Sequence, residues 1–129
     1  MTGILLDTHA WVWTMTDESR LSRPAREAIE GADAVLVSPV SFFEIAQKVR
    51  IGRWPELASL CVGLPELLRE SGGVAAPLTP DICLRAGLVD WDHREPFDRL
   101  LAATAETQAV PLVTRDTVFA GRRSLAVVW

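Results

Sequence analysis

The chain has 129 residues, of which 49% are hydrophobic and 23% charged, with a net charge of −4 at pH 7. That length suits a single domain spanning 1–129, able to bury roughly two-thirds of its unfolded surface, and the composition excludes low-complexity and repeat architectures. No apolar run approaches the ~18–20 residues of a membrane span, and the N-terminus lacks the basic flank and small-residue cleavage site of a secretory signal, so a cytoplasmic protein with no membrane partner is expected.

The acidic balance looks wrong for a nucleic-acid partner, because affinity for phosphate normally needs an excess of Lys and Arg. Seventeen acids less four metal ligands would leave 13, equal to the 13 basic residues, so the objection weakens if a few acids hold cations. Cys61 and Cys83 stand apart rather than in a C-x-x-C pair, and with His9 and His93 they match no zinc spacing. Free thiols are expected, with a disulfide as the alternative.

In chain order, the first strand signal is "GILL" at 3–6, followed at once by an apolar segment at 10–13. Ser22 then precedes "RPAREAIEGA", with Pro24 near the start and Gly31 at the end of a predicted helix. "AVLV" at 34–37 is a second strand. "VSFFEIAQKVRIG" predicts a helix with 42, 45, 46 and 49 on one face, stopping at Gly52. A looser helical region covers about 55–70, and "VAAPL" at 74–78 is a third strand. Thr79 and Pro80 open another helix, and "PFDRLLAATAETQ" begins one at Pro96, a residue favoured in the first turn. "PLV" at 111–113 and "LAVV" at 125–128 complete the strands.

These strands are short and apolar without alternation, as in a parallel sheet covered on both faces. The β–α alternation predicts an α/β fold, a mostly parallel central sheet with helices on both sides. Ligands in such sheets gather beyond the carboxyl ends of strands. Asp7 and Asp116 both fall there.

Each of those acids has two readings, a ligand or a cap on the next helix. Asp98 lies within about 60° of Leu101, Ala102, Ala105 and Ala109 on its helix. It therefore points along the stripe that should face the sheet, where an ionised carboxylate needs a cation or donors; an acid favoured by the helix dipole is the alternative. Glu44 lies opposite the main apolar face of its helix, so by periodicity it is a solvated acid paired with Lys48. Were such acids to converge at ~4 Å, each pair would repel by ~4 kcal/mol at an effective dielectric of 20, which a hard oxygen-seeking cation relieves.

Four segments, "LLDTHAWVW", "SPVSFFEIAQKVRIGR", "HREPFDRLLAATA" and "PLVTRDTVF", together resemble the PIN-domain ribonucleases, and in particular the VapC-like toxins of type II toxin–antitoxin pairs. They occur in the family's order and spread from Leu5 to Phe119. The resemblance implies a three-layer α/β/α fold and an acidic quartet of Asp7, Glu44, Asp98 and Asp116. It implies that one or two Mg²⁺ ions, with Mn²⁺ as the other candidate, are held there. Asp7 and Asp98 would ligate directly, Glu44 and Asp116 would complete the set or orient waters, and Thr8 and Thr114 would hydrogen-bond behind them. The implied activity is endonucleolytic cleavage of RNA, and the implied partners are RNA, a cognate antitoxin protein and a second copy in a homodimer. A PIN fold that binds or regulates with little turnover is the alternative. A haloacid dehalogenase-type phosphatase, which wants an acid where His9 stands, and a receiver domain, which wants a late lysine, fit poorly.

Arg94, Arg99 and Arg115, with Arg50 and Arg53, flank the acids in sequence and are candidate phosphate contacts. His9 reads as a structural residue of a first helical turn, with a general base as the alternative, and His93 as a surface or loop-fixing residue, with RNA contact as the alternative. Of the five tryptophans, Trp11, Trp13, Trp54, Trp91 and Trp129, at most one is expected to meet RNA.

Overall fold

A computed structural model describes residues 3–129. Its middle strand, β1 (Gly3–Leu6), pairs in parallel on both sides, with β2 (Ala34–Val37) and with β4 (Leu112–Val113). β3 (Val74–Ala75) lies outside β2 and β5 (Val127–Val128) outside β4, both parallel, which gives the order β3-β2-β1-β4-β5. Parallel neighbours need crossovers. Here these carry six helices: α1 (Thr8–Thr16), α2 (Arg23–Gly31), α3 (Pro39–Arg50), α4 (Leu64–Glu70), α5 (Pro80–Leu88) and α6 (Pro96–Gln108).

Alternation along β1 divides the interior in two. Ile4 and Leu6 join α1, α2, α3 and α4 in a core containing Trp11, Trp13, Ala25, Ile45, Leu57 and Leu64. Leu5 points the other way and packs with Leu112, Phe119 and the α6 residues Leu101, Ala102 and Ala105. α5 lies against the outer side of α6 through Ile82, Ala86 and Ala103. The predicted α/β/α arrangement is thus present, with helices on both faces of a parallel sheet. Among the described residues no helix is long and apolar enough to cross a membrane.

The helix starts follow the sequence signals. The Ser22 and Thr79 side chains accept the N–H of Ala25 and Ile82, and α3 stops before Gly52 at φ +79°, a left-handed conformation that costs glycine little. Three stretches differ from expectation. The strand predicted at 74–78 is only Val74–Ala75, because after Ala76 donates to Val37 O at 2.8 Å the chain reaches Pro77, which has no N–H to give. The strand predicted at 125–128 is likewise cut to Val127–Val128. The loose helix at 55–70 is two 3₁₀ turns, Pro55–Leu57 and Cys61–Gly63, before α4, with proline and glycine interrupting the ladder.

α6 is capped just past its end by Ala109 with φ 54°, the one described non-glycine residue in the left-handed region. Glycine there avoids ~1–2 kcal/mol of left-handed strain and gives back ~0.4–1 kcal/mol through a looser unfolded chain. Ala109→Gly is therefore expected to stabilise the fold, seen as a higher urea midpoint at unchanged slope; a lower midpoint would show that the strain at this residue is smaller than the entropy glycine returns to the unfolded chain.

Candidate active site

The strand order reverses direction between β1 and β4, and the loops leaving those two strands open a crevice at their carboxyl ends. A cleft of about 560 Å³ lies there, lined by Asp7, Glu44, Glu95, Asp98 and Asp116 together with Thr8, His9, Trp13, Leu101, Arg115 and Thr117. All four acids of the expected quartet line this one cleft, although they come from four separate segments.

Asp7 follows β1 and is 7% exposed. The capping reading holds, for Oδ1 accepts the N–H of Ala10 at 2.7 Å at the start of α1, while the other oxygen, Oδ2, accepts the Thr114 hydroxyl at 2.5 Å. The same Thr114 oxygen accepts the N–H of Asp116 at 3.0 Å, so one hydroxyl joins the acids after β1 and β4. Asp116 is exposed and caps the 3₁₀ turn Thr117–Gly121, taking the N–H of Val118 on Oδ1 at 3.0 Å.

Asp98 sits in the first turn of α6, on the stripe that carries Leu101, Ala102 and Ala105 into the core. Ala109 falls outside that helix. Asp98 Oδ2 lies 2.7 Å from His93 Nε2, and its backbone N–H donates to Glu95 Oε2 at 2.7 Å. Glu44 departs from the periodicity reading, its side chain being only 14% exposed. The reason is that the start of α3 is enclosed from two sides, packing on both α1 and α6 and burying Val40 and Ser41 as well as Ile45. The expected pair with Lys48 is nonetheless present, Nζ to Oε2 at 2.9 Å.

Burial is the main reason the carboxyls of Asp7 and Asp98 are pushed above the usual Asp range. For Asp7 the hydrogen bonds from Thr114 and Ala10 and the nearby His9 work against that rise, and the charge of Asp98 adds to it. For Asp98 the His93 contact opposes the rise, while Glu95 and Asp116 add to it. Asp98, Glu44 and Asp116 each give one carboxylate oxygen to a protein donor, and the second oxygen takes none among the described residues. Oxygens left without donors on crowded, partly desolvated carboxylates are the donor set a hard divalent cation prefers. Among the described residues the acids and histidines whose ligand atoms all fall within 4.8 Å of one another are His93, Glu95 and Asp98; the quartet as a whole is more widely spaced.

Other expectations change. Arg99 is corrected as a phosphate contact. Its guanidinium donates to the carbonyls of Ala86 (2.9 Å), Gly87 (3.4 Å), Val89 (2.6 Å), Trp91 (2.9 Å) and His93 (2.8 Å), using every N–H it has. Arg94 lies on a different pocket, with Cys83, Gly87 and Pro96. Arg50 and Arg53 are exposed and do not line the cleft, whereas Arg115 does. Thr8 is buried and bonds the Ser41 hydroxyl at 2.8 Å, tying α1 to α3 instead of meeting an acid. His9 is exposed on the cleft wall, its ring against Trp13 and Trp54. The expectation of free thiols at Cys61 and Cys83 is met.

Sequence reasoning missed Glu95 altogether. Glutamate is not a favoured cap, and the available signal was its place just before Pro96 and three residues before Asp98.

An α/β sheet with carboxylates gathered at its strand-order reversal defines a candidate divalent-metal site. Residues 4–123 match the PIN domain family. Over 120 residues the chain is 36% identical to Ribonuclease VapC22 of Mycobacterium tuberculosis (strain ATCC 25618 / H37Rv), an alignment covering 90% of this chain and 88% of that protein. Among solved structures it is similar to VapBC2 from Rickettsia felis bound to a promoter DNA fragment, with TM-score 0.67 and 15% identity over 98% of this chain and 97% of that one. It is also similar to VapBC-1 from nontypeable Haemophilus influenzae, with TM-score 0.67 and 17% identity over 98% and 96% of the two chains. The chain belongs to the PIN-domain family, and within it is VapC-like.

The raised carboxyls set a pH dependence. A folded-state pKa above the unfolded value means the folded protein holds its protons longer, so this stability is fully present below the unfolded pKa and is lost as pH rises through the folded one. Metal-free protein is therefore expected to lose more stability between pH 4 and pH 7 than its Asp98→Asn variant, whose residue 98 stays neutral throughout. Thermal melts of both in EDTA check this, and parallel pH profiles would contradict it.

Proposed function

We propose that this chain is a metal-dependent endoribonuclease, the toxin member of a type II toxin–antitoxin pair. The supporting observation is that four carboxylates from distant segments line one cleft at the strand-order reversal. The relative with 36% identity bears the name ribonuclease, and the solved neighbours are described as VapBC or toxin–antitoxin complexes.

Mg²⁺, or Mn²⁺ in its place, bound at this cleft would supply Lewis-acid chemistry, lowering the pKa of a coordinated water and offsetting charge on a phosphodiester. Asp7 and Asp98 would hold the ion directly. Glu44 and Asp116 offer further carboxylate oxygens on the same wall to complete the set or orient waters. Thr114 keeps Asp7 in place through its hydroxyl and fixes the backbone entering Asp116. Arg115, exposed on the rim, meets the phosphate backbone of the incoming strand. The cleft is open to solvent, so an extended single strand can enter it. An antitoxin chain and a second copy of this chain are the proposed protein partners, and Phe43, Leu84 and Leu88, 61%, 62% and 82% exposed, supply apolar surface for such contacts. The proposed location is the cytoplasm.

Cleavage of a mixed RNA pool in Mg²⁺ tests the reading. Activity is expected to fall ~100-fold or more with EDTA, with Asp7→Asn and with Asp98→Asn. Equal cleavage in all four conditions would leave a binding or regulatory PIN fold as the better description. Expression of the wild-type chain alone is expected to arrest bacterial growth, and expression of Asp98→Asn is not; equal toxicity would separate the arrest from RNA cleavage.

A further inference from the structure

His93 does not itself line the cleft but bonds one of its acids, and three groups hold it there. Its ring packs on Trp91 at 5.1 Å between centroids. Its carbonyl takes an Arg99 N–H at 2.8 Å, within the grip by which that guanidinium also holds the carbonyls of Ala86, Val89 and Trp91. Its Nε2 lies 2.7 Å from Asp98 Oδ2. Trp91 is itself fixed, with Phe119 at 6.0 Å on one side and the Arg122 guanidinium 5.6 Å from its ring. Arg122 is in turn held by Glu106, to which it donates at 2.9 and 2.7 Å. The segment between α5 and α6 is thus clamped by two arginines, and it ends in one imidazole aimed at one carboxylate.

The ionised Asp98 carboxylate, the form that takes a cation, only accepts hydrogen bonds, so with it His93 Nε2 carries the proton in this contact. That bond occupies one side of Oδ2 and restrains the Asp98 carboxylate, which lines the cleft and whose Oδ1 has no donor among the described residues. Glu95 fixes the same residue from behind by capping its N–H. Asp7 is prepared in a parallel way by Thr114 and Ala10.

We infer that His93 is a positioning residue of the metal site: through Nε2–H it orients the Asp98 carboxylate for a divalent cation, and the Arg99-clamped segment exists to present it. The inference rests on the nuclease reading of the cleft. Partners of this kind are worth ~10–100-fold in metal affinity. An unsupported Asp98 would have to give up rotamer freedom when the ion arrives, and the weaker binding is the measure of that loss.

Mn²⁺ titrated into the protein without RNA, followed by electron paramagnetic resonance, tests this apart from turnover. His93→Ala is expected to weaken Mn²⁺ binding ~10-fold or more. His93→Gln, whose amide nitrogen can stand where Nε2 stands, is expected to recover most of that affinity. Wild-type affinity in His93→Ala overturns the inference. So does equal loss in the Ala and Gln variants with unchanged melting temperatures, since a mere packing role would not distinguish a donor from a methyl. Asp98→Asn is the reference: if it binds Mn²⁺ and cleaves RNA like wild type, the nuclease reading of the cleft falls, whereas its loss of both alongside an unaffected His93→Ala removes the positioning inference alone.

Discussion

Everything at the cleft depends on the parallel pairing of β1 with β4. Leu5 and Asp7 donate their N–H groups to Pro111 O and Val113 O at 2.9 and 3.0 Å, and the ladder carries two polar loops to the same edge. Thr114 then reaches Asp7 across a gap of 107 residues in sequence. Without that register Asp7 would be an ordinary cap and Asp116 an ordinary turn residue. With it, two acids share one hydroxyl, and α3 and α6 need only bring their own carboxylates to the same edge.

The arrangement stores unfavourable energy. Desolvation and mutual repulsion push Asp7 and Asp98 toward their neutral forms, and the protein holds them with donors that favour the charge: a threonine hydroxyl, a helix N–H and an imidazole. The donors orient the carboxylates without neutralising them. Sites that must accept a cation are commonly built in this half-satisfied state, because full pairing by Lys or Arg would leave nothing for the ion. Glu44 comes nearest to that limit, sharing one oxygen with Lys48, whose ammonium also lies 4.7 Å from the Trp54 ring.

Much of the framework could be read from the residues in order. The four-residue apolar runs at 3–6 and 34–37, the caps at Ser22 and Thr79, and the turn of Asp98 toward the sheet all follow from local chemistry and helical periodicity. Glu44 did not, because periodicity sees a single helix, and the burial of this acid comes from two other helices closing on the same end of α3. Arg99 failed for a different reason. Its five acceptors are main-chain carbonyls, which every residue carries, so no pattern in the sequence distinguishes an arginine that grips a loop from one that greets a phosphate. His93 belongs with it, since its ring contact with Trp91 and its bond to Asp98 are set by the path of that gripped segment.

The capping bond of Asp7 has an evolutionary edge. An amide at this position still offers an oxygen to the Ala10 N–H, so helix α1 keeps its cap while the negative charge disappears. Aspartate and asparagine codons differ by one base. Under the proposed function, a gene for this fold would sit one nucleotide from a folded sibling without the Asp7 charge, and a copy silenced in that way but keeping its protein-binding surfaces would be free to serve as a decoy for whatever restrains the active one.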